Sequence, residues 1–342
     1  MFYGLKKLGV WLCLTAWLLS GCSGWGAAEV QKLSGYSMGT SFTVSVVASE
    51  SEARALDGEV RTAIDEVNVA MSTYLPRSDV SRFNDAPVNG WIAVSPMTAE
   101  VVSLALEVAE ASNGAFDPTI GPLVDLWGFG PKETTDQVPS EDEIKAALAM
   151  VGWQAVEIDM TANKLRKMEP RELDLSAIAK GFAVDQVANL LEARGFEDYL
   201  VEIGGEMRFS GTKPGDDPWR VAIESPDSDN RSVYEVLEVT NGSMATSGDY
   251  RNFFEQDGQR YSHTLDPKTG YPIRHDLVSA TVLGDRSVFS DAYATAFMVM
   301  GAEAALSLAA EQDMAVYLIQ RGEGEYTETR SVQFEALFEQ SN

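Results

Sequence analysis

The chain has 342 residues, with 52 acidic against 26 basic side chains and a formal net charge of −26. A body this acidic repels nucleic acid and anionic lipid head groups, which argues against polyanion-binding functions. The chain has two histidines, His263 and His275, and no cysteine after Cys22, which excludes a usual zinc site in the body.

The N-terminus reads as a targeting segment. Lys6 and Lys7 precede an apolar run over residues 8–19, followed by the small-residue patch Ser20-Gly21-Cys22. That is the layout of a secretory signal, and the run is short for a membrane span. Leu19-Ser20-Gly21-Cys22 resembles a bacterial lipobox. Residues 1–21 are then expected to be a lipoprotein signal peptide, with Cys22 lipidated as the new N-terminus. Cys13 would leave with the signal, so the mature chain would have no thiol to pair. Residues 22–34 read as a small, polar tether.

Strand-like alternation covers residues 41–48, and an apolar helical stripe runs over 56–71. A second helix is expected over 98–112, stopped by Asn113-Gly114. Ser140 and Glu143 have capping-box spacing ahead of a helix to 150. Strands at 156–160 and 164–168 flank a hairpin-like turn. Residues 174–194 read as a strand end entering a helix that closes at Gly195. Further strands are expected at 199–203, 206–210, 219–224, 233–239, 278–283 and 315–319, and helices at 290–300 and 303–310. Without strict βαβ alternation this pattern favours an α+β fold, and no linker divides residues 35–338.

Four segments concentrate glycine, acids and hydroxyls at structural junctions. In Ser37-Met38-Gly39-Thr40, the glycine allows close backbone approach and Met38 offers a face to a flat ring; a plain turn is the alternative. Gly114-Ala115-Phe116-Asp117-Pro118-Thr119 offers an aromatic face and a carboxylate, or ordinary loop chemistry. In Leu173-Asp174-Leu175-Ser176-Ala177-Ile178-Ala179-Lys180-Gly181, Lys180 sits where it reaches an anionic phosphate, although no P-loop pattern is present. Asp291 and Thr295 share one helical face and suit a hard cation, unless Asp291 is a helix cap. His263, before Thr264-Leu265-Asp266-Pro267, is a proton-shuttle candidate, with a structural role as the alternative.

Taken in order, these segments resemble the FAD:protein FMN transferase (ApbE) family over residues 35–301. The match includes Met71-Ser72-Thr73-Tyr74, Ser81-Arg82-Phe83-Asn84, Phe182-Ala183-Val184-Asp185, Ile203-Gly204-Gly205-Glu206 and Ala245-Thr246-Ser247-Gly248-Asp249-Tyr250. The resemblance implies a single α+β domain of two intimately packed lobes, related to the tunnelling fold, with an FAD cleft between them. It implies FAD contacts at Met38, Tyr74, Ala115, Phe116, Asp117, Asp174, Lys180 and Leu265. It implies Mg2+ held by the Ala177 carbonyl, Asp291 and Thr295. His263 matches a family histidine tied to activity, and we assign Asp266 as its helper.

The implied reaction is Mg2+-dependent transfer of FMN from FAD to a threonine or serine of membrane redox-pump subunits, releasing AMP. The implied location is the periplasmic side of the inner membrane, through the lipid anchor. The sequence departs from the family in two places: Ser176-Ala177 stands where many members have two glycines, and Ala294 stands where some have a carboxylate. An FAD diphosphatase and a non-catalytic flavin-binding lipoprotein are the competing readings.

Overall fold

The computed structural model describes residues 28–131, 137–226, 232–250 and 252–338. The expected signal and Cys22 lie outside these residues.

The chain opens with a hairpin, β1 (Glu29–Ser37) and β2 (Thr40–Ala48), and then α1 (Glu50–Met71). The short α2 (Asp79–Asp85) and β3 (Ile92–Ala93) lead to α3 (Pro96–Ala111), α4 (Gly121–Leu126) and α5 (Glu141–Leu148). The hairpin β4 (Val156–Asp159) and β5 (Lys164–Lys167) precedes α6 (Ala179–Ala193). Then come β6 (Tyr199–Ile203), β7 (Glu206–Ser210), β8 (Trp219–Glu224), β9 (Val233–Val239) and β10 (Gly242–Gly248). They are followed by β11 (Phe253–Gln256), β12 (Gln259–Ser262), β13 (Leu277–Gly284) and α7 (Ser287–Met300). The described chain ends with α8 (Ala302–Glu311), β14 (Ala315–Arg321), β15 (Tyr326–Arg330) and α9 (Val332–Phe338).

Eight strands form one sheet in the order β1-β2-β6-β7-β10-β13-β14-β15. Every neighbouring pair is antiparallel. This is the α+β architecture expected from the sequence. Helices α1, α6 and α7 bury their apolar faces on one side of the sheet, with Val60, Ile64, Phe182, Val184 and Phe297 fully enclosed. Each such large side chain contributes about 1.5–3 kcal/mol by leaving water. The β8–β9 hairpin and α9 cover the other face around Trp219, Ile223, Tyr317 and Phe334. A third apolar cluster, built on Leu123, Trp127, Phe254, Tyr261 and Leu265, forms a smaller lobe beside the first.

Several boundaries differ from the sequence reading, among them α3 and α7, which start at Pro96 and Ser287, and three others with clear physical causes. A strand starts at Glu29, inside the stretch read as tether, and pairs along its whole length with β2. It is an edge strand with one buried side chain, Leu33, so its sequence is polar. Helix α1 starts at Glu50, because Ser49 and Glu52 form a reciprocal capping box. Asp174 stands in an irregular segment rather than at a strand end. Its amide donates to the Pro118 carbonyl at 2.8 Å, a loop contact and not a sheet ladder.

Candidate functional site

Helices α6 and α7 begin without a side-chain cap of their own. Each is capped by the other. The Gly181 amide in the first turn of α6 donates to Asp291 Oδ2 of α7 at 2.9 Å. The Ser287 and Val288 amides of α7 donate to the buried Asp185 carboxylate of α6 at 3.0 and 3.1 Å. A helix start carries unpaired amides and positive dipole ends, so each aspartate satisfies both needs. This crossing is close: a Cβ at Gly181 would stand 2.3 Å from the Ser287 carbonyl oxygen. Asp291 therefore lies in the second turn of α7, which removes the alternative that it is that helix's own cap.

Lys180 projects from the same start of α6. Its Nζ lies 2.6 Å from Glu206 Oε1 and 3.7 Å from Asp291 Oδ1. Burial disfavours the Lys180 charge, but Asp291 and Glu206 outweigh it and raise the pKa. Burial pushes Glu206 up to about 7, with the Asp291 charge adding to the shift and Lys180 opposing it. One turn beyond Asp291, the Thr295 hydroxyl lies 3.1 Å from Ser247 Oγ on β10.

These groups open onto a cavity of about 440 Å³. It lies where the helical layer meets the smaller lobe. Ala115, Phe116, Asp117, Asp174, Ala177, Lys180, His263, Leu265, Asp291 and Thr295 all line it. Ten of the sequence-derived site residues are thus brought together from segments far apart in the chain. Asp117 is fixed in its loop, with Oδ1 accepting from the Thr119 amide and hydroxyl at 2.8 and 2.6 Å. Burial raises its pKa against these hydrogen bonds.

His263 follows β12. Its Nδ1 stands 3.0 Å from the Asn252 carbonyl oxygen. A carbonyl accepts only, so Nδ1 carries the hydrogen, and Nε2 is the basic nitrogen of the neutral ring. Burial lowers the pKa; the Asn252 carbonyl resists this, and the Lys180 charge adds to the lowering. The ring is held neutral near pH 7, as a proton acceptor requires.

Three expected residues do not line the cavity. Met38 occupies the β1–β2 turn with a φ of 51°. Tyr74 is 68 % exposed. Asp266 spends its oxygens on its own turn, accepting from the Lys268 amide at 2.8 Å and the Thr269 hydroxyl at 3.0 Å. It organises the loop after His263, and among the described residues the imidazole bonds to the Asn252 carbonyl instead.

The donor set fits Mg2+. Asp291 Oδ2 is committed to Gly181, but Oδ1 has only the loose Lys180 contact, so one carboxylate oxygen is open to a cation. The Thr295 hydroxyl and the Ala177 carbonyl add neutral oxygen, which a hard cation prefers. Among the described residues no group of three His, Cys, Asp or Glu forms a metal cluster, so the set depends on these neutral donors.

Residues 38–318 match the ApbE family. This chain belongs to the ApbE family. It is 43% identical over 320 residues to a Vibrio cholerae protein named FAD:protein FMN transferase, covering 93% of this chain and 95% of that one. A Haemophilus influenzae protein of the same name is 39% identical, with 98% and 99% covered. Among solved structures, the flavin transferase ApbE of Vibrio cholerae superposes with a TM-score of 0.84 at 42% identity, covering 90% of this chain and 99% of that one. The apo flavinyl transferase ApbE of Pseudomonas stutzeri gives 0.84 at 40% identity, with 91% and 97% covered.

The ApbE cavity of this chain also contains residues that pattern reading does not single out as site residues. Glu206, Ser247, Phe129 and Asn252 all line it. Glu206 carries a signal of its own, since it follows Gly204 and Gly205, both at positive φ. That turn is tight enough to aim a side chain back at α6.

Proposed function

We propose that this chain transfers FMN from FAD to a threonine or serine hydroxyl of another protein, with Mg2+ bound, and releases AMP. The observation that carries this reading is the single cavity joining the Ala177 corner, Lys180, Asp291, Thr295 and His263. The names of the relatives, all FAD:protein FMN transferases, support it.

The chemistry follows from charge. The acceptor oxygen bonds to the FMN-side phosphorus, and the bond from that phosphorus to the bridging oxygen breaks, so AMP departs with the electron pair. Mg2+, held by the Ala177 carbonyl, Asp291 and Thr295, would supply charge neutralisation that an acidic protein needs for an anionic substrate. Lys180 adds a fixed positive charge at the start of α6, where helix amides also favour an anion. His263 Nε2 accepts the hydroxyl proton, with Nδ1 anchored on Asn252. Phe116, Leu265 and Val124 give the cavity apolar walls that suit a flavin ring and limit water.

The acceptors in this reading are redox-pump subunits on the periplasmic side of the inner membrane, where Cys22 lipid would hold the enzyme. The deciding experiment mixes the chain with FAD, Mg2+ and such a subunit and weighs the subunit for added FMN. A subunit of unchanged mass, with FMN and AMP released to solution, would instead identify an FAD diphosphatase.

A further inference from the structure

We propose that Glu206 is a positioning residue that holds Lys180 away from Asp291, leaving the open aspartate oxygen to a divalent cation. The inference rests on the Mg2+ reading above and adds a residue to it.

Lys180 has two buried carboxylates within reach and divides itself unequally between them. It closes to 2.6 Å on Glu206 and stays at 3.7 Å from Asp291 Oδ1. The nearer contact is a charge-assisted hydrogen bond, and the longer one is an ion pair without one. Asp291 Oδ2 is already engaged by Gly181, so Oδ1 is the oxygen a cation would take. A lysine ammonium and a metal ion there compete for the same negative charge and repel each other.

Glu206 is only 4% exposed, and its Oε2 has no hydrogen-bond partner. Burying a half-satisfied carboxylate is unfavourable, so the fold gains nothing from it without the lysine. The backbone is shaped around the pair. Gly204 has a φ of +68°, and a Cβ there would stand 3.3 Å from both Lys180 Cδ and Glu206 Oε2 and 2.9 Å from Thr40 Cγ2. The glycine turn thus leaves the slot in which the lysine stem lies against the glutamate. Without Glu206, Asp291 is the remaining carboxylate in contact with Lys180 among the described residues, and the ammonium moves onto the oxygen a metal needs.

The test is Mn2+ binding to the full chain without flavin, read by electron paramagnetic resonance. Glu206→Gln should weaken Mn2+ on the order of tenfold, the usual size of coupling between neighbouring sites. Adding Lys180→Met to Glu206→Gln should restore wild-type affinity or better, which a merely structural loss would not allow. Lys180→Met alone should bind at least as tightly as wild type, and it decides the matter should Glu206→Gln not fold. Unchanged affinity in Glu206→Gln, a double variant as weak as that single one, or weaker binding in Lys180→Met overturns the inference. If Asp291→Ala binds Mn2+ as well as wild type, the metal reading itself fails. Loss in Asp291→Ala with none in Glu206→Gln removes only the role of Glu206.

Discussion

His263 shows how much one side chain depends on a single backbone oxygen. The Asn252 carbonyl takes both the His263 amide and its Nδ1, at 2.9 and 3.0 Å, and so fixes the ring and its tautomer together. His263→Ala should lower the FMN transfer rate by about 10²–10⁴-fold, the usual contribution of a general base, while FAD binding persists. Transfer measured in single turnover beside FAD titration checks both halves. The pH profile follows from the lowered pKa. On the proposed role of His263 the basic form is the active one, so activity should hold below the ordinary histidine value of about 6.5 and fall only as pH drops further. An acid limb centred above that value would mean another group accepts the proton.

The placement of residues at the cavity was unevenly legible in the sequence. Asp291 and Thr295 are readable because four-residue spacing on a helix puts two side chains on one face. Glu206 and Ser247 are not, because their place at the cavity comes from sheet pairing across long separations. Asp266 misleads because an acid near a histidine looks like its partner, whereas the Asp-Pro-Lys-Thr-Gly turn uses the carboxylate internally.

At the scale of elements, the crossing of α6 and α7 is the part the site most depends on. Asp185→Asn should cost about 1–3 kcal/mol, since it weakens two buried hydrogen bonds to the start of α7. Urea unfolding would measure this. Gly181→Ala should cost a similar amount by overpacking against the Ser287 carbonyl. It should also impair transfer, because the helices that carry Lys180 and Asp291 would be pushed apart. A Gly181→Ala protein with normal stability and normal transfer would contradict the tight crossing. Long helices such as α1 and α3 are legible from their apolar stripes, whereas the Ser49 and Ser95 caps that set their starts are not singled out. Strand β10 is not, because Gly-Ser-Met-Ala-Thr-Ser-Gly has neither alternation nor more than one large apolar side chain. Its position between β7 and β13 is a property of the ladder, and it delivers Ser247 to the cavity.

For the whole molecule, the sign of the charge sets how a dianionic dinucleotide arrives. With a net charge of −26, the chain repels FAD at long range, and in the proposed reading the attraction begins near Lys180 and a bound cation. Salt screens the distant repulsion more than the enclosed contacts. The association rate of FAD should therefore rise as NaCl increases from near zero to about 0.15 M, the range over which the screening length shrinks to about 8 Å. Stopped-flow flavin fluorescence would follow it, and a rate that falls steadily with salt would point to a basic approach path instead.

The early start of β1 has a geometric consequence for the acceptor. Among the described residues the sheet begins at Glu29, so a lipid on Cys22, as proposed, would leave at most the stretch between those two residues as a leash. Fully stretched it reaches about 25 Å. On the proposed anchoring, an enzyme moored that closely would sweep a thin layer above the bilayer and serve hydroxyls held near the lipid surface, leaving those on tall ectodomains out of range.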